Sequence, residues 1–159
     1  MAFTEVKLDG GSWNDATTIT IPAPADHSDD GSHTIFYRSI DHAGNVEHSQ
    51  TRTVMIDSSP PRPVANWAAT AVRGKTASLR YLIADRRPGS PSATVTIRVR
   101  TLAGRLVRKL VERNVAVGRR SAATFTCRLA SGQYRFFVYA TDAAGNRQSA
   151  VASNGLRVR

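Results

Sequence analysis

Five basic residues lie close together in the second half of the sequence, and their spacing is suited to binding anions. The stretch Thr94-Val-Thr-Ile-Arg-Val-Arg places Arg98 and Arg100 on the polar side of an alternating strand, and the turn at Gly104 leads into a second basic run. Guanidinium groups hold phosphate or carboxylate in a bidentate manner, so we expect these side chains to cluster on the solvent face of one hairpin. The candidate anion-binding residues are Arg98, Arg100, Arg105, Arg108 and Lys109.

The basic cluster allows three interpretations. Nucleic-acid binding is the most specific interpretation. It is disfavoured because the sequence shows no recognition helix, zinc site or exposed aromatic platform of the kind found in known nucleic-acid-binding proteins. Anionic wall polymers or an acidic neighbouring module fit a basic surface better. The third interpretation is that an arginine-rich composition simply fills exposed strand positions.

The densest group of metal-ligating residue types lies between residues 26 and 33. Asp26, Asp29 and Asp30 alternate there with His27 and His33. Their spacing matches no metal motif, and calcium would need further oxygen ligands from elsewhere in the chain. We therefore interpret the segment as a solvated loop. We expect no metal ion and no other cofactor, and the three aspartates are the only metal candidates that we retain.

No combination of nucleophile, base and acid indicates an enzyme. The single cysteine, Cys127, excludes an internal disulfide, and its shared parity with Phe125 and Leu129 predicts a small buried side chain. A catalytic thiol would need a histidine, and all four histidines precede residue 49. No serine elbow is present, and carboxylates for glycoside hydrolysis would come from loops without an aromatic platform. We expect no catalytic activity.

A repeated stretch organises the chain around these candidates. Residues 31–45 and 132–146 align without a gap and share six identical positions. Each copy begins with Gly, continues as a β-prone run and stops at Asp-x-Ala-Gly-Asn, a turn whose Gly can take positive φ. Its Asp and Asn could ligate calcium, but a role in the turn itself is the preferred interpretation. The copies start 101 residues apart, about the length of one immunoglobulin-like (Ig-like) sandwich.

Strand parity predicts the buried face of each repeat strand, because side chains alternate along a strand. In the second copy the more apolar face holds Tyr134, Phe136, Val138 and Ala140. The counterparts in the first copy are His33, Ile35, Tyr37 and Ser39, which are less apolar. We therefore expect the first module to have the weaker core.

The sign of the net charge changes between the two repeat copies. Residues 1–59 carry three basic and nine acidic residues, a net charge of −6, whereas residues 60–159 carry 19 basic and three acidic ones, a net charge of +16. Such asymmetry indicates two units with different surfaces. We predict an acidic module over residues 1–58, a proline-rich linker over 59–63 and a strongly basic module over 64–159. Three prolines in the linker favour a stiff, extended spacer.

Alternating runs separated by turn signals predict an all-β fold with almost no helix. About seven strands in the second module are what an Ig-like sandwich requires. Beside the repeat strands, we predict strands over 3–8, 17–21 and 46–56 in the first module and over 64–72, 75–84, 93–101, 106–111 and 121–129 in the second, with a hairpin turn at 9–12.

Both modules resemble known families. The first, from Val-Lys-Leu-Asp-Gly-Gly-Ser-Trp to Ile-Asp-His-Ala-Gly-Asn-Val-Glu, resembles the Ig-like repeats of large bacterial surface and secreted proteins. The second, through Thr94-Val-Thr-Ile-Arg-Val-Arg, Gly132-Gln-Tyr134 and the Asp142 turn, resembles the Ig-like domain of flagellar hook-capping proteins. The resemblance implies two tandem Ig-like or fibronectin-III-like β-sandwich modules. The first is either a small variant or one without its opening strands, whose bare edge could pair with another chain.

The same resemblance implies a function without chemistry. It indicates spacer, stalk or adhesive modules of an exported bacterial protein, located outside the cell or at its surface, although the opening residues lack a secretory signal. The alternative is an accessory module, binding polyanions or carbohydrate, of a larger secreted enzyme. The expected partners are neighbouring modules or extracellular polymers, with no membrane insertion and with a homodimer through the exposed edge as a further option.

Overall fold

The computed structural model describes residues 3–159, and the chain divides into two compact units, Met1–Ser58 and Ser59–Arg159. Met1 and Ala2, which belong to the predicted first module, lie outside the described residues. No helix occurs between residues 3 and 159, so the predicted all-β class is confirmed. In the same range, no helix has the length and apolar character needed to span a membrane.

The first unit is one antiparallel sheet of four strands. Its order is β2-β1-β3-β4, and the predicted turn at residues 9–12 joins β1 to β2. The bounds are β1 Phe3–Leu8, β2 Asn14–Asp15, β3 Gly31–Ile40 and β4 Gln50–Ile56.

The predicted strand over residues 17–21 is wrong. The pairing with β1 ends near Ala16, whose N–H donates to the Thr4 carbonyl, and residues 17–24 form no strand. Threonine and isoleucine raise β propensity, but a strand also needs a partner for its backbone groups. Two prolines at positions 22 and 24 remove two backbone donors from the segment that follows.

The first unit has the weaker core, as the repeat strands predict. Between residues 3 and 58, Val6 is the only apolar side chain in the buried class, at 9% exposure. It lies opposite Tyr37 on β3, and Ile35 and Tyr37 are half-buried. A single sheet buries each apolar residue from one side, so this unit has little apolar burial to stabilise it.

The second unit is a two-sheet sandwich. A three-stranded sheet, β10-β7-β5, packs against a five-stranded sheet, β6-β12-β11-β8-β9. The bounds are β5 Arg62–Val64, β6 Ala69–Ala71, β7 Thr76–Ala84, β8 Ser92–Thr101, β9 Leu106–Ala116, β10 Arg120–Thr126, β11 Gly132–Asp142 and β12 Ala152–Val158. The predicted edge segment 64–72 is thus split between the two sheets.

The predicted strand parity is confirmed for β8 and β11 of the second unit. Phe136 and Val138 of β11 are fully buried, together with Ile97 of β8. Leu79 and Ile83 of β7 face them from the other sheet and are equally buried. Alternation with period two predicts burial well where one face of a sheet meets a core.

The structure differs from the predicted linker at residues 59–63. Arg62 and Pro63 pair with Ala84 and Ile83 as part of edge strand β5. Ser59 is 2% exposed and Pro61 is fully buried. Proline is tolerated on an edge strand, where only one side of the backbone is hydrogen-bonded. These residues therefore pack into the second unit instead of forming a free spacer.

Candidate anion-binding face

The outer surface of the five-stranded sheet is basic. Arg98 on β8 lies between Phe137 on β11 and Lys109 on β9, and residues directly opposite one another point to the same side of a sheet. Arg100 lies opposite Arg135 in the next outward-facing row. We call this surface the basic face; it consists of Arg98, Arg100, Lys109, Arg135, Phe137, Tyr139 and Arg157.

Three of the five predicted anion-binding residues lie on the basic face. They are Arg98, Arg100 and Lys109, while Arg105 lies exposed at the tip of the β8–β9 hairpin. Arg100 is fixed to this tip because its guanidinium donates to the Gly104 carbonyl at 2.7 Å. The hairpin therefore brings four of the predicted cations to one side and one end of the sheet.

Arg108 was wrongly assigned to this cluster. It lies opposite Val99, which is fully buried in the core, and its guanidinium carbon is 5.6 Å from the centroid of the Phe125 ring on the other sheet. Neighbouring residues in a strand point to opposite faces, so Arg108 and Lys109 cannot share one. Arg108 instead covers the open edge of the sandwich between β9 and β10.

Two cations of the basic face, Arg135 and Arg157, lie outside the predicted set of anion-binding residues. Arg135 lies between Arg100 on β8 and Gly155 on β12, and Arg157 lies opposite Gln133. Strand parity alone places Arg135 beside Phe137 on the outward side of β11. Only the pairing of β11 with β8 shows that this arginine and the hairpin arginines form one surface.

Aromatic rings and hydrogen bonds hold the guanidinium groups of the basic face. Arg98 stacks on Tyr139, with 4.8 Å between the guanidinium carbon and the ring centroid. Arg135 lies 5.9 Å from the Phe137 ring and donates to Ser153 Oγ at 2.9 Å. Such contacts orient a guanidinium while leaving other N–H groups for a ligand.

No carboxylate neutralises the basic face. The three acidic residues of residues 60–159 are Asp85, Glu112 and Asp142. Glu112 lies opposite Val95 and Asp142 opposite Ala93, both core positions, and Asp85 follows β7 in a loop. In the described chain, Arg98, Lys109 and Arg135 form no ion pair. The field of the face is therefore uncompensated, which favours anionic ligands.

The three aspartates considered as metal ligands are used within the first unit. Asp26 Oδ1 accepts from the Ser28 N–H at 3.0 Å, and Asp30 Oδ1 accepts from the Ser58 N–H at 2.8 Å. Asp29 contributes its backbone carbonyl to His33 Nε2 at 2.8 Å. Within residues 3–159, these three carboxylates do not form a cluster with ligand atoms close together.

The two Asp-x-Ala-Gly-Asn turns have the same hydrogen bonds. Asp41 Oδ1 accepts from the Asn45 N–H at 2.9 Å, and Asp142 Oδ1 accepts from the Asn146 N–H at 2.8 Å. In both turns the Asn Nδ2 donates to the other carboxylate oxygen, at 2.8 and 3.0 Å. The carboxylates thus bridge their own turns, which is the role in the turn that the sequence favoured.

The equivalence extends beyond the aligned stretch. The Glu47 N–H donates to the Ser39 carbonyl at 2.9 Å and the Gln148 N–H donates to the Ala140 carbonyl at 3.0 Å. The side chains of the same two residues accept a hydrogen bond back, from the Ser39 and Ala140 N–H groups. The repeat is therefore a complete strand-and-turn unit built twice.

Cys127 is fully buried with a free thiol, as its parity predicts. It follows β10, and its N–H donates to the Lys75 carbonyl at 2.9 Å. A buried cysteine in apolar surroundings behaves as a small hydrophobic residue. Its position assigns it to the core of the second unit.

The chain is similar to several solved structures at low sequence identity. No protein-family model matches the chain, and no curated protein does. Among solved structures, it is similar to a tetra-tandem repeat in the extending region of a large adhesion protein, with 20% identity and a TM-score of 0.48. That match covers 98% of this chain and 42% of the other. The fold is all-β and Ig-like.

Two further solved structures are similar to the chain. The chain is similar to the chicken CNTN1 FN1-FN3 domains, with 12% identity and a TM-score of 0.46, over 99% of this chain and 56% of the other. It is also similar to the CARDB domain of a Pyrococcus furiosus protein in complex with di-metal ions, with 16% identity and a TM-score of 0.42, over 66% of this chain and 97% of the other. The chain thus spans about half the length of the two multi-domain structures.

Proposed function

We propose that the chain is a pair of non-catalytic structural and adhesive modules of an exported bacterial surface protein, and that its second unit binds anionic extracellular polymers through the basic face. The observation that carries the binding proposal is a row of cations on one sheet surface without any carboxylate. The proposed location, outside the cell or at its surface, follows from this role and from the tandem Ig-like architecture.

The basic face suits a polymer better than a small ligand. Its cations are spread over four neighbouring strands, β8, β9, β11 and β12, so one small anion contacts few of them. A polymer with repeated phosphate, sulfate or carboxylate groups can engage several guanidinium groups in succession. Such binding depends steeply on salt, because each contact releases counterions. With about −0.7 per contact for a flexible chain, five contacts give a slope of about −3.5 in log K against log salt.

The test compares two double variants that remove the same charge. Arg98→Gln with Arg135→Gln removes two cations from the basic face, whereas Arg73→Gln with Arg128→Gln removes two exposed cations outside it. Calorimetry against a heparin oligosaccharide, with uncharged dextran as a blank, is repeated over a range of salt concentrations. We expect the first variant to bind at least tenfold more weakly and to lower the salt slope by about 1.4, for two lost contacts.

Two results would overturn the binding proposal. Equal losses in both double variants would mean that net charge, and not the basic face, determines binding. Tighter binding of single-stranded DNA than of heparin at the same salt concentration would indicate a nucleic-acid partner instead. Thermal unfolding of both variants should remain a single cooperative transition for the second unit, which separates a loss of binding from a loss of fold.

The second candidate function is an accessory carbohydrate-binding module of a larger secreted enzyme. One observation favours it, a cleft with a tryptophan on the smaller sheet. This cleft lies on the other side of the sandwich from the basic face.

A further inference from the structure

A cleft of about 360 Å³ lies on the outer side of the three-stranded sheet. Its lining includes Trp67, Arg80, Arg120 and Ala122. Arg80 and Ala122 lie directly opposite each other on β7 and β10, and Leu79 and Ala123 beside them are fully buried. Because side chains alternate, Arg80 and Arg120 both point away from the core and into the cleft.

The fold holds Trp67 at a fixed place beside these arginines. The residue lies in the short connection between β5 and β6, where the chain crosses from the smaller sheet to the larger one. Ala65 in this connection is 3% exposed, and its carbonyl accepts from Asn154 Nδ2 at 2.7 Å. The indole remains half-buried, and the Arg120 guanidinium lies over its ring, with 5.1 Å between the guanidinium carbon and the ring centroid.

The two guanidinium groups of the cleft have no acidic partner. Over residues 3–159, neither Arg80 nor Arg120 forms an ion pair, and none of the residues lining the cleft is acidic. Two cations around a partly exposed indole suit a ligand with an anionic group and an apolar ring face. The volume is at the lower end of the range of about 300–1,000 Å³ for small-molecule sites, so it suits one or two sugar rings.

We propose that this cleft binds an acidic saccharide unit, with the carboxylate of a uronic acid held by Arg80 and Arg120 and the sugar ring packed on the part of the Trp67 indole that remains exposed. The pyranose ring of a uronic acid has an apolar C–H face and a carboxylate at its rim. These two features match the Trp67 indole and the two arginines of the cleft. A nucleobase is less well matched, because single-strand readers stack successive bases on several aromatic residues and this cleft offers a single ring. The site goes beyond the basic face, since it lies on the other sheet and would bind a discrete unit.

Tryptophan fluorescence gives a local readout of this site. The chain has two tryptophans, Trp13 and Trp67, so Trp13→Phe leaves Trp67 as the only one. In this background the protein is titrated with digalacturonate, with neutral galactobiose and with adenosine monophosphate. We expect a saturable change with digalacturonate in the millimolar range or below, and none with galactobiose.

Variants distinguish the cleft from the basic face. Arg80→Gln and Arg120→Gln should each weaken digalacturonate binding at least tenfold and leave heparin binding by the basic face intact. The matched control, Arg98→Gln, should leave digalacturonate binding unchanged. The proposal is overturned if no saturable response occurs up to about 10 mM digalacturonate, if the response persists in both cleft variants, or if adenosine monophosphate binds more tightly. Since exposed arginines are replaced, unchanged thermal unfolding will show that a loss of binding is not a loss of fold.

Discussion

The Asp-x-Ala-Gly-Asn turn occurs once in each unit, which allows a matched experiment on stability. The variants are Asp142→Ala in the second unit and Asp41→Ala in the first. Both carboxylates accept the same two hydrogen bonds from the asparagine four residues later. Asp142 is 6% exposed, whereas Asp41 is exposed. Removal of Asp142 therefore leaves the Asn146 donors without the carboxylate in a largely dry environment, while water can replace the Asp41 carboxylate.

The magnitude follows from the hydrogen bonds that are lost. A hydrogen bond to a charged group contributes about 1.5–3 kcal/mol, and a buried donor left without its acceptor costs its full desolvation. Two bonds at Asp142 give an expected loss of about 3–6 kcal/mol in the free energy of unfolding of the second unit. The loss at Asp41 should be clearly smaller, and Asp142→Asn should fall between because it keeps one acceptor oxygen.

Each unit contains one tryptophan, so unfolding of the two can be followed separately. In a Trp13→Phe background, the urea-dependent fluorescence of Trp67 reports on the second unit, and Trp67→Phe leaves Trp13 to report on the first. We expect neither equal losses of unfolding free energy in the two alanine variants nor a loss under about 1 kcal/mol in Asp142→Ala. Either result would mean that the buried carboxylate does not hold the turn.

Two predictions concern pH. The pKa of His33 is raised, first by the hydrogen bond to the Asp29 carbonyl and then by the Asp9 carboxylate. Protonated His33 therefore stabilises the first unit fully below the ordinary pKa of 6.5, and this stabilisation is lost as the pH rises through the folded-state pKa. The urea midpoint reported by Trp13 should therefore fall as the pH rises above about 6.5, and His33→Gln should remove this fall. An unchanged fall would contradict the assignment. Burial is the main cause, and the Glu112 carboxylate the second, of a Tyr81 pKa raised to about 12. The stability that depends on neutral Tyr81 is therefore complete below pH 10 and is lost as the pH rises towards 12. The part of the tyrosinate absorbance that is absent in Tyr81→Phe should then appear together with unfolding of the second unit, and Tyr81→Phe should move unfolding to higher pH. Titration of Tyr81 before unfolding would refute this.

Period-two alternation predicted much of the second unit because one face of each strand meets a core. Val95, Ile97 and Phe136 are buried as their parity requires, and the Asp142 turn adopts the conformation that its residues favour. These signals are local, since each depends on a few neighbouring residues. Residues 17–21 show the limit of local signals, because their β propensity finds no partner strand.

The candidate sites depend on contacts between residues far apart in the sequence. Arg135 joins the basic face only because β11 pairs with β8, and the parity of β9 moves Arg108 to another side of the sandwich. Trp67 meets Arg120 although 53 positions separate them in the numbering. No local pattern marks such a meeting, which explains why the sequence indicated anion binding in the second half but not the places where it is concentrated.

The arrangement of charge bears on the third interpretation of the arginines, that they merely fill exposed strand positions. A surface filled for solubility alone usually mixes charges of both signs, and uncompensated cations destabilise a compact state by repulsion. In the second unit, Glu112 and Asp142 lie on the inward side of the five-stranded sheet, so they cannot offset Arg98 and Arg135 on its outward side. Repulsion between cations makes an outward surface without counter-charges less favourable to the folded state than a surface with charges of both signs. Its presence on a sheet face that also carries ordered aromatic rings favours a bound anion, which would relieve the repulsion, over simple filling.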